Sequence, residues 1–219
     1  MKKKEKNTTE IREELFNRYP QLENCKDDII SAFDELVSCY KRGGKLLVAG
    51  NGGSAADSEH IVGELLKSFL FLRKINSGLK ENLSLMFDDE GRKLADTLEG
   101  AFPAIPLTSM SAINTAFAND SEPSVSFAQT LNALSTKEDV FLGITTSGNS
   151  KNIIYSLMVA KAKGVKSIVL TGGTGGKCKE IADITICVNE IETFKIQELH
   201  LPIYHALCAM LEAEIFEEK

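Results

Sequence analysis

"LLVAGNGGSAADSEH", residues 46–60, decides how this chain folds. An apolar run, Leu46 to Ala49, enters a turn holding Gly50, Gly52 and Gly53, and leaves it in a segment of helical spacing from Ser54 onward. Strand, glycine turn, helix is the connection of a parallel α/β sheet, and it leaves backbone N–H groups free at a helix N-terminus. Gly50, Gly52 and Ala55 satisfy a loose G-x-G-x-x-A, but a dinucleotide site also needs an acidic residue closing the second strand. That strand runs instead into "PLTSMS", residues 106–111. A triphosphate loop is excluded, because Ser54 rather than lysine follows Gly53, and "GGTGGKC", residues 172–178, has neither the spacing nor a hydroxyl after its lysine. A single phosphate or sugar hydroxyls remain as ligands, beside the plainer reading of a tight connection with no ligand.

A second turn changes the balance. "GITTSGNS", residues 143–150, again ends a strand and opens a helix, and it brings Thr145, Thr146, Ser147 and Ser150 around Gly148. Hydroxyls with a helix N-terminus can surround a phosphate without lysine. One Ser/Thr-rich turn is ordinary capping; two at one edge of a sheet are not.

Outward from these turns, "KLLVAG", "AIPLT", "DVFLGITT", "KSIVLTG" and "ITICV" read as near-continuous apolar strands alternating with helices. The expectation is a three-layer α/β/α sandwich around a five-stranded parallel sheet. Two N-terminal helices precede it, the first capped by Thr8 or Thr9 and stopped at Tyr19-Pro20, the second ending at Gly43-Gly44. The chain reads as one domain, 1–219, with a helical extension over about 8–43 and an insertion over about 70–102. The insertion is charged and amphipathic, with two short helices expected; a lid and a solvated decoration are both open. The last helix, about Phe194 to Phe216, is too apolar for a lone surface helix and is expected to enter a subunit interface.

Twenty-five basic and 31 acidic residues leave a net charge of −6, so nucleic acid and anionic membranes are not expected partners, and any anion must be held locally. "MKKKEK" lacks a following apolar run, and no stretch is long enough to cross a bilayer; a cytoplasmic location is expected. Cys25, Cys39, Cys178, Cys187 and Cys208 are scattered and odd in number, which argues for reduced, unreactive thiols.

"GNGGSAADSEH", "AND" (118–120), "TTSGNS", "VLTGGTGG" and "KIQELHLPIYH" stand in the order found in sugar isomerase (SIS) domains. "TSGNS" is general to SIS domains; the His and Glu after the glycine turn, together with Gln and His in the last helix, resemble the phosphoheptose isomerase branch. The resemblance implies a flavodoxin/Rossmann-like SIS fold, a homotetramer with sites at subunit interfaces, and conversion of sedoheptulose 7-phosphate to D-glycero-D-manno-heptose 7-phosphate. It implies substrate contacts at Asn51, Gly52, Gly53, Ser54, Glu64, Asn119, Asp120, Thr145, Thr146, Ser147, Ser150 and Gln197. It maps zinc ligands onto His60, Glu64, Gln197 and His205, and it makes Glu64 the base forming a cis-enediol and His205 the opposing acid/base.

The residues bear on this independently. His60 and Glu64, four apart, share one helix face. Moving a carbonyl between C2 and C1 of a sugar needs a carbon-bound proton removed and the neighbouring carbon protonated, work for a carboxylate and an imidazole. Alone, Glu64 would read as a solvated helix face and His205 as an interface histidine. Gln197 and His205 lie about 12 Å apart along an ideal helix, so both must lean to one point or serve different subunits; His200 is a rival ligand. Lys195, Phe194 and Ser68 depart from the family pattern, and Lys67, Arg73 or Lys74 could supply the positive charge missing at Ser68. Isomerisation of another phosphosugar, and a non-catalytic SIS protein akin to replication-initiation regulators, are the alternatives.

Overall fold

The computed structural model describes residues 6–216, so most of the basic N-terminal cluster lies outside the described residues. Five strands, β1 (Leu46–Gly50), β2 (Ala104–Pro106), β3 (Val140–Ile144), β4 (Lys166–Gly172) and β5 (Ile184–Val188), form one sheet in the order β2-β1-β3-β4-β5. Every pairing is parallel. This is the flavodoxin-like doubly wound order, whose ligands bind at the carboxyl ends of β1 and β3, where the winding reverses.

Both sheet faces are covered, as the apolar strands required. Successive side chains of a strand point to opposite faces. Leu46 and Val48 accordingly join a core with Leu142, Ile168 and Ile186, while Leu47 and Ala49 join a second core with Phe141 and Val169. On the first face lie α1 (Thr8–Arg18), α2 (Lys26–Lys41), α3 (Gly53–Leu66) and α9 (Thr193–Phe216). On the second lie α6 (Ser126–Leu134), α7 (Lys151–Lys163) and α8 (Cys178–Ile181). Two further helices, α4 (Ser77–Thr97) and α5 (Ser111–Asp120), lie in the two long connections flanking β2.

Several boundaries differ from the sequence reading. Asn7, not Thr8 or Thr9, caps α1: its Oδ1 accepts the Glu10 N–H at 2.9 Å while Glu10 accepts the Asn7 N–H at 3.1 Å, a reciprocal capping box. Pro20–Cys25 is a 3-10 turn, so α2 starts at Lys26. The insertion, by contrast, holds the two helical runs expected of it, within residues 77–97 and broken at Phe87 and at Asp88, whose φ of 47° is left-handed.

The last helix is the main correction. Fourteen of its 24 residues are buried within this one chain, against α1, α2 and α3. Its apolar surface is thus covered by the N-terminal helices and does not by itself require a subunit interface. Among the described residues, α5 is the least covered α-helix, with none of its ten residues buried.

Candidate active site

The two turns meet at the carboxyl ends of β1 and β3, where Gly50 pairs with Ile144. Asn51 and Asn152 tie them together: each side-chain amide donates to the other's oxygen, at 3.0 and 2.8 Å. Gly52 sits at φ 57°, ψ −121°, a conformation suited to glycine. Gly53 packs against the end of Gln197: a Cβ there would lie 2.6 Å from the Gln197 amide nitrogen, which would have to shift. Ser54 is buried, and its N–H donates to the Asn51 carbonyl at 3.0 Å.

In the second turn the Thr145 and Ser150 hydroxyls are 2.9 Å apart, and the Ser147 hydroxyl accepts the Asn149 N–H at 3.2 Å. Ser147 is exposed, Thr146 and Ser150 half-buried and Thr145 buried. Gly148 has φ 66° and packs so closely on the "GGTGG" segment that a Cβ would lie 2.0 Å from the Gly175 carbonyl oxygen. That segment braces the turn from behind: Asn149 Oδ1 also accepts the Lys177 N–H at 3.1 Å.

On α3, His60 and Glu64 face His205 of α9. His60 Nε2 is 3.2 Å from Glu64 Oε1 and 3.4 Å from His205 Nε2. One donor atom from each of the three lies within 4.8 Å of the others. Burial and the neighbouring His60 both push the His205 pKa below its ordinary value, with Glu64 opposing, which favours a neutral imidazole.

Other residues fall elsewhere. Gln197 is not with this cluster: it lies against Gly53, seven residues before His60 on α3, or about 10 Å along the axis. His200 is fully buried, its Nε2 3.3 Å from the Thr171 carbonyl and burial lowering its pKa to about 4, so the rival ligand faces the sheet. Asn119 and Asp120 end α5 exposed, with the Asn119 amide donating to Asp120 at 2.6 Å.

Arg73 is not available for a substrate phosphate. Its guanidinium is buried, donating to Glu212 at 2.7 Å and to the carbonyls of Leu65 and Glu64 at 2.7 Å each. Glu212 also accepts the N–H groups of Phe69 and Leu70 at 2.8 and 2.7 Å. This buried pair closes the chain just past the end of α3 at Leu66 and fixes the turn carrying Glu64. Ser68, a departure from the family pattern, is bound into the same knot: its hydroxyl accepts the Arg73 N–H at 2.8 Å.

Asp57, Tyr204 and Asn152 also reach the site without having been singled out from the sequence. The Tyr204 hydroxyl donates to Asp57 Oδ1 at 3.2 Å and lies 3.1 Å from His60 Nδ1. The three-residue spacing of Asp57 and His60 on one helix was the available signal. All five cysteines are free; burial raises Cys25 and Cys208 to about 12 and Cys39 and Cys178 to about 11, so none is poised as a nucleophile.

A doubly wound sheet with paired phosphate-type turns at its switch point, beside a His–Glu–His cluster, defines the sugar isomerase class. The family profile described as "SIS domain" matches residues 108–213. The chain is 39% identical over 183 residues to the phosphoheptose isomerase of Aneurinibacillus thermoaerophilus, covering 84% of this chain and 79% of that one. It superposes on the structure of a phosphoheptose isomerase from Francisella tularensis with a TM-score of 0.69 and 31% identity, covering 94% and 92% of the two chains. For the Neisseria gonorrhoeae enzyme of the same name the TM-score is 0.68 at 27% identity, covering 92% and 98%. The chain belongs to the phosphoheptose isomerase family of SIS-domain proteins.

Proposed function

We propose that this protein isomerises sedoheptulose 7-phosphate to D-glycero-D-manno-heptose 7-phosphate, supplying heptose for lipopolysaccharide, capsule or S-layer glycans. The observation that carries this reading is the cluster of His60 and Glu64, on the helix that the first glycine turn opens, with His205 of α9. Substrate phosphate is assigned to the second turn, held by Ser147, Ser150, Thr145 and Thr146 and by free N–H groups at the start of α7. Asn51, Gly52, Gly53, Ser54 and Gln197 are assigned to the sugar hydroxyls, by backbone or side chain. Asn119 and Asp120 join them from the end of α5.

In the chemistry, a Glu64 oxygen takes a proton from C1 of the ketose while His205 gives one to the C2 oxygen, producing a cis-enediol. Return of a proton to C2 and loss of one from the C1 hydroxyl give the aldose, with no net change in protons. The group that gives a proton to the C2 oxygen in the first step takes one back from the C1 hydroxyl in the second, so His205 returns to its starting state over the cycle. Arg73 serves by holding the Glu64 backbone.

The cluster also suits a zinc ion, with His60, Glu64 and His205 as ligands. His60 Nε2 lies 3.2 Å from Glu64 Oε1 and 3.4 Å from His205 Nε2, and two imidazoles with a carboxylate are a donor set that zinc takes. A tetrahedral ion with bonds of about 2.0–2.1 Å places its ligands about 3.3 Å apart. His60, Glu64 and His205 would hold the ion, and Gln197, which lies against Gly53, is assigned to substrate. Zinc so held would polarise the carbonyl as a Lewis acid.

The proposed assembly is a homotetramer with composite sites in the cytoplasm. The least covered helix, α5, supports it, because a ten-residue helix is marginal without packing. So does a groove of about 410 Å³ beside His205, lined by Ile11, Leu15, Phe69, Leu70 and Leu201. Among the described residues no helix is long and apolar enough to cross a membrane.

Turnover on a panel of pentulose, hexulose and heptulose phosphates tests the reading. Preference for the heptulose is expected; preference for a shorter ketose would assign another phosphosugar, and no turnover on any would leave a binding protein.

A further inference from the structure

Asp57 and Tyr204 occupy no place in the proton transfers, yet they join His60 to the interior. The Tyr204 ring is 2% exposed and packs edge-on to His60, with centroids 5.5 Å apart. Its hydroxyl owns one proton. The carboxylate of Asp57 can only accept, so that proton goes to Asp57 Oδ1 at 3.2 Å. The 3.1 Å contact between the Tyr204 oxygen and His60 Nδ1 is then a bond that His60 donates. A neutral imidazole has one N–H, so the Tyr204 oxygen at Nδ1 competes for it with Glu64 Oε1, 3.2 Å from Nε2; with the proton on Nδ1, Nε2 turns a lone pair toward Glu64 and His205.

We propose that Asp57 and Tyr204 are positioning residues that fix the His60 tautomer, so that Nε2 presents a lone pair to the cluster. The inference deepens the reading of His60 as a metal ligand and rests on it. Direction matters in this relay: a phenol without its carboxylate would donate to Nδ1 and move the imidazole proton to Nε2, blocking the ligand atom. Partners of this kind around a metal-binding histidine are typically worth 10- to 100-fold in metal affinity.

The test is the tautomer of His60 in metal-free, isotopically labelled protein at pH 8, read by two-bond proton–nitrogen NMR correlations, with zinc affinity measured by chelator competition. Wild type is expected to carry the proton on Nδ1. Asp57→Ala, with Tyr204 intact, is expected to shift it to Nε2, a reversal that loss of packing alone would not produce. Tyr204→Phe keeps the ring and is expected to mix the tautomers and weaken zinc about 10- to 100-fold. A wild-type proton on Nε2, or tautomer and zinc affinity unmoved in both variants, overturns the relay. Should the wild-type proton sit on Nδ1 and shift in the variants while zinc fails to bind, the relay stands and the metal reading falls.

Discussion

Asn51 and Asn152, 101 residues apart, exchange side-chain hydrogen bonds in both directions across the carboxyl ends of β1 and β3. The turn after β1 and the turn after β3 are therefore tied to each other. Asn152→Ala removes both bonds, each worth about 1 kcal/mol. Steady-state kinetics should show KM raised by roughly fivefold to thirtyfold with a smaller change in kcat; unchanged KM would mean that the turns hold their places independently.

Ser147→Ala and Ser150→Ala each remove a hydroxyl assigned to a charged phosphate, a bond worth about 1.5–3 kcal/mol. Affinity for the phosphosugar should fall by about tenfold or more in each, measured by calorimetry with substrate or inorganic phosphate as competitor. Full binding in both variants would move the phosphate off this turn.

Removing one partner of the Arg73–Glu212 pair leaves a charge with no exposure to water. Arg73→Met should cost about 3–5 kcal/mol in urea unfolding. The double variant Arg73→Met, Glu212→Leu should lose less than the sum of the two single losses, because the partners share one network. Additive losses would show that the two act separately.

Asp139 makes stability depend on acid. Burial alone would raise its carboxyl, but bonds from the Lys45 side chain and from the Thr136 and Lys45 N–H groups outweigh it and hold the folded pKa below the ordinary 3.8. The unfolded chain then binds the proton more readily. The contribution is full above the unfolded value and drains away as pH falls through it toward the folded one. Urea midpoints measured from pH 6 to pH 3 should fall more steeply for wild type than for Asp139→Asn; parallel curves would remove Asp139 from the acid limb.

Much of this was legible in the sequence because strong local signals agreed with the fold. The strand residues Leu46 to Ala49 are apolar at every position, and a parallel sheet buries both faces, so β1 and its partners could be read directly. His60 and Glu64 came together as their four-residue spacing suggested, and His205 joined them as the family pattern suggested. The helix α5 carries "SAINTAFAND", which has no buried stripe and so no period to read. Arg73 looked like a spare surface cation because its partner Glu212 is 139 residues away. Tyr204 and Asp57 meet only through the packing of α9 on α3, 147 residues apart in sequence. The apolar excess of α9 was real, but the N-terminal helices of the same chain absorb it.

The central claim is that Glu64 and His205 move protons on a ketose phosphate. Sedoheptulose 7-phosphate incubated in deuterium oxide is the direct test, with the aldose product and recovered ketose analysed by NMR. Wild type should place solvent deuterium at C2 of the aldose, while Glu64→Gln and His205→Asn, with unchanged circular dichroism, should neither form the aldose nor exchange the substrate carbon proton. Near-normal turnover or exchange in either folded variant would contradict the assignment.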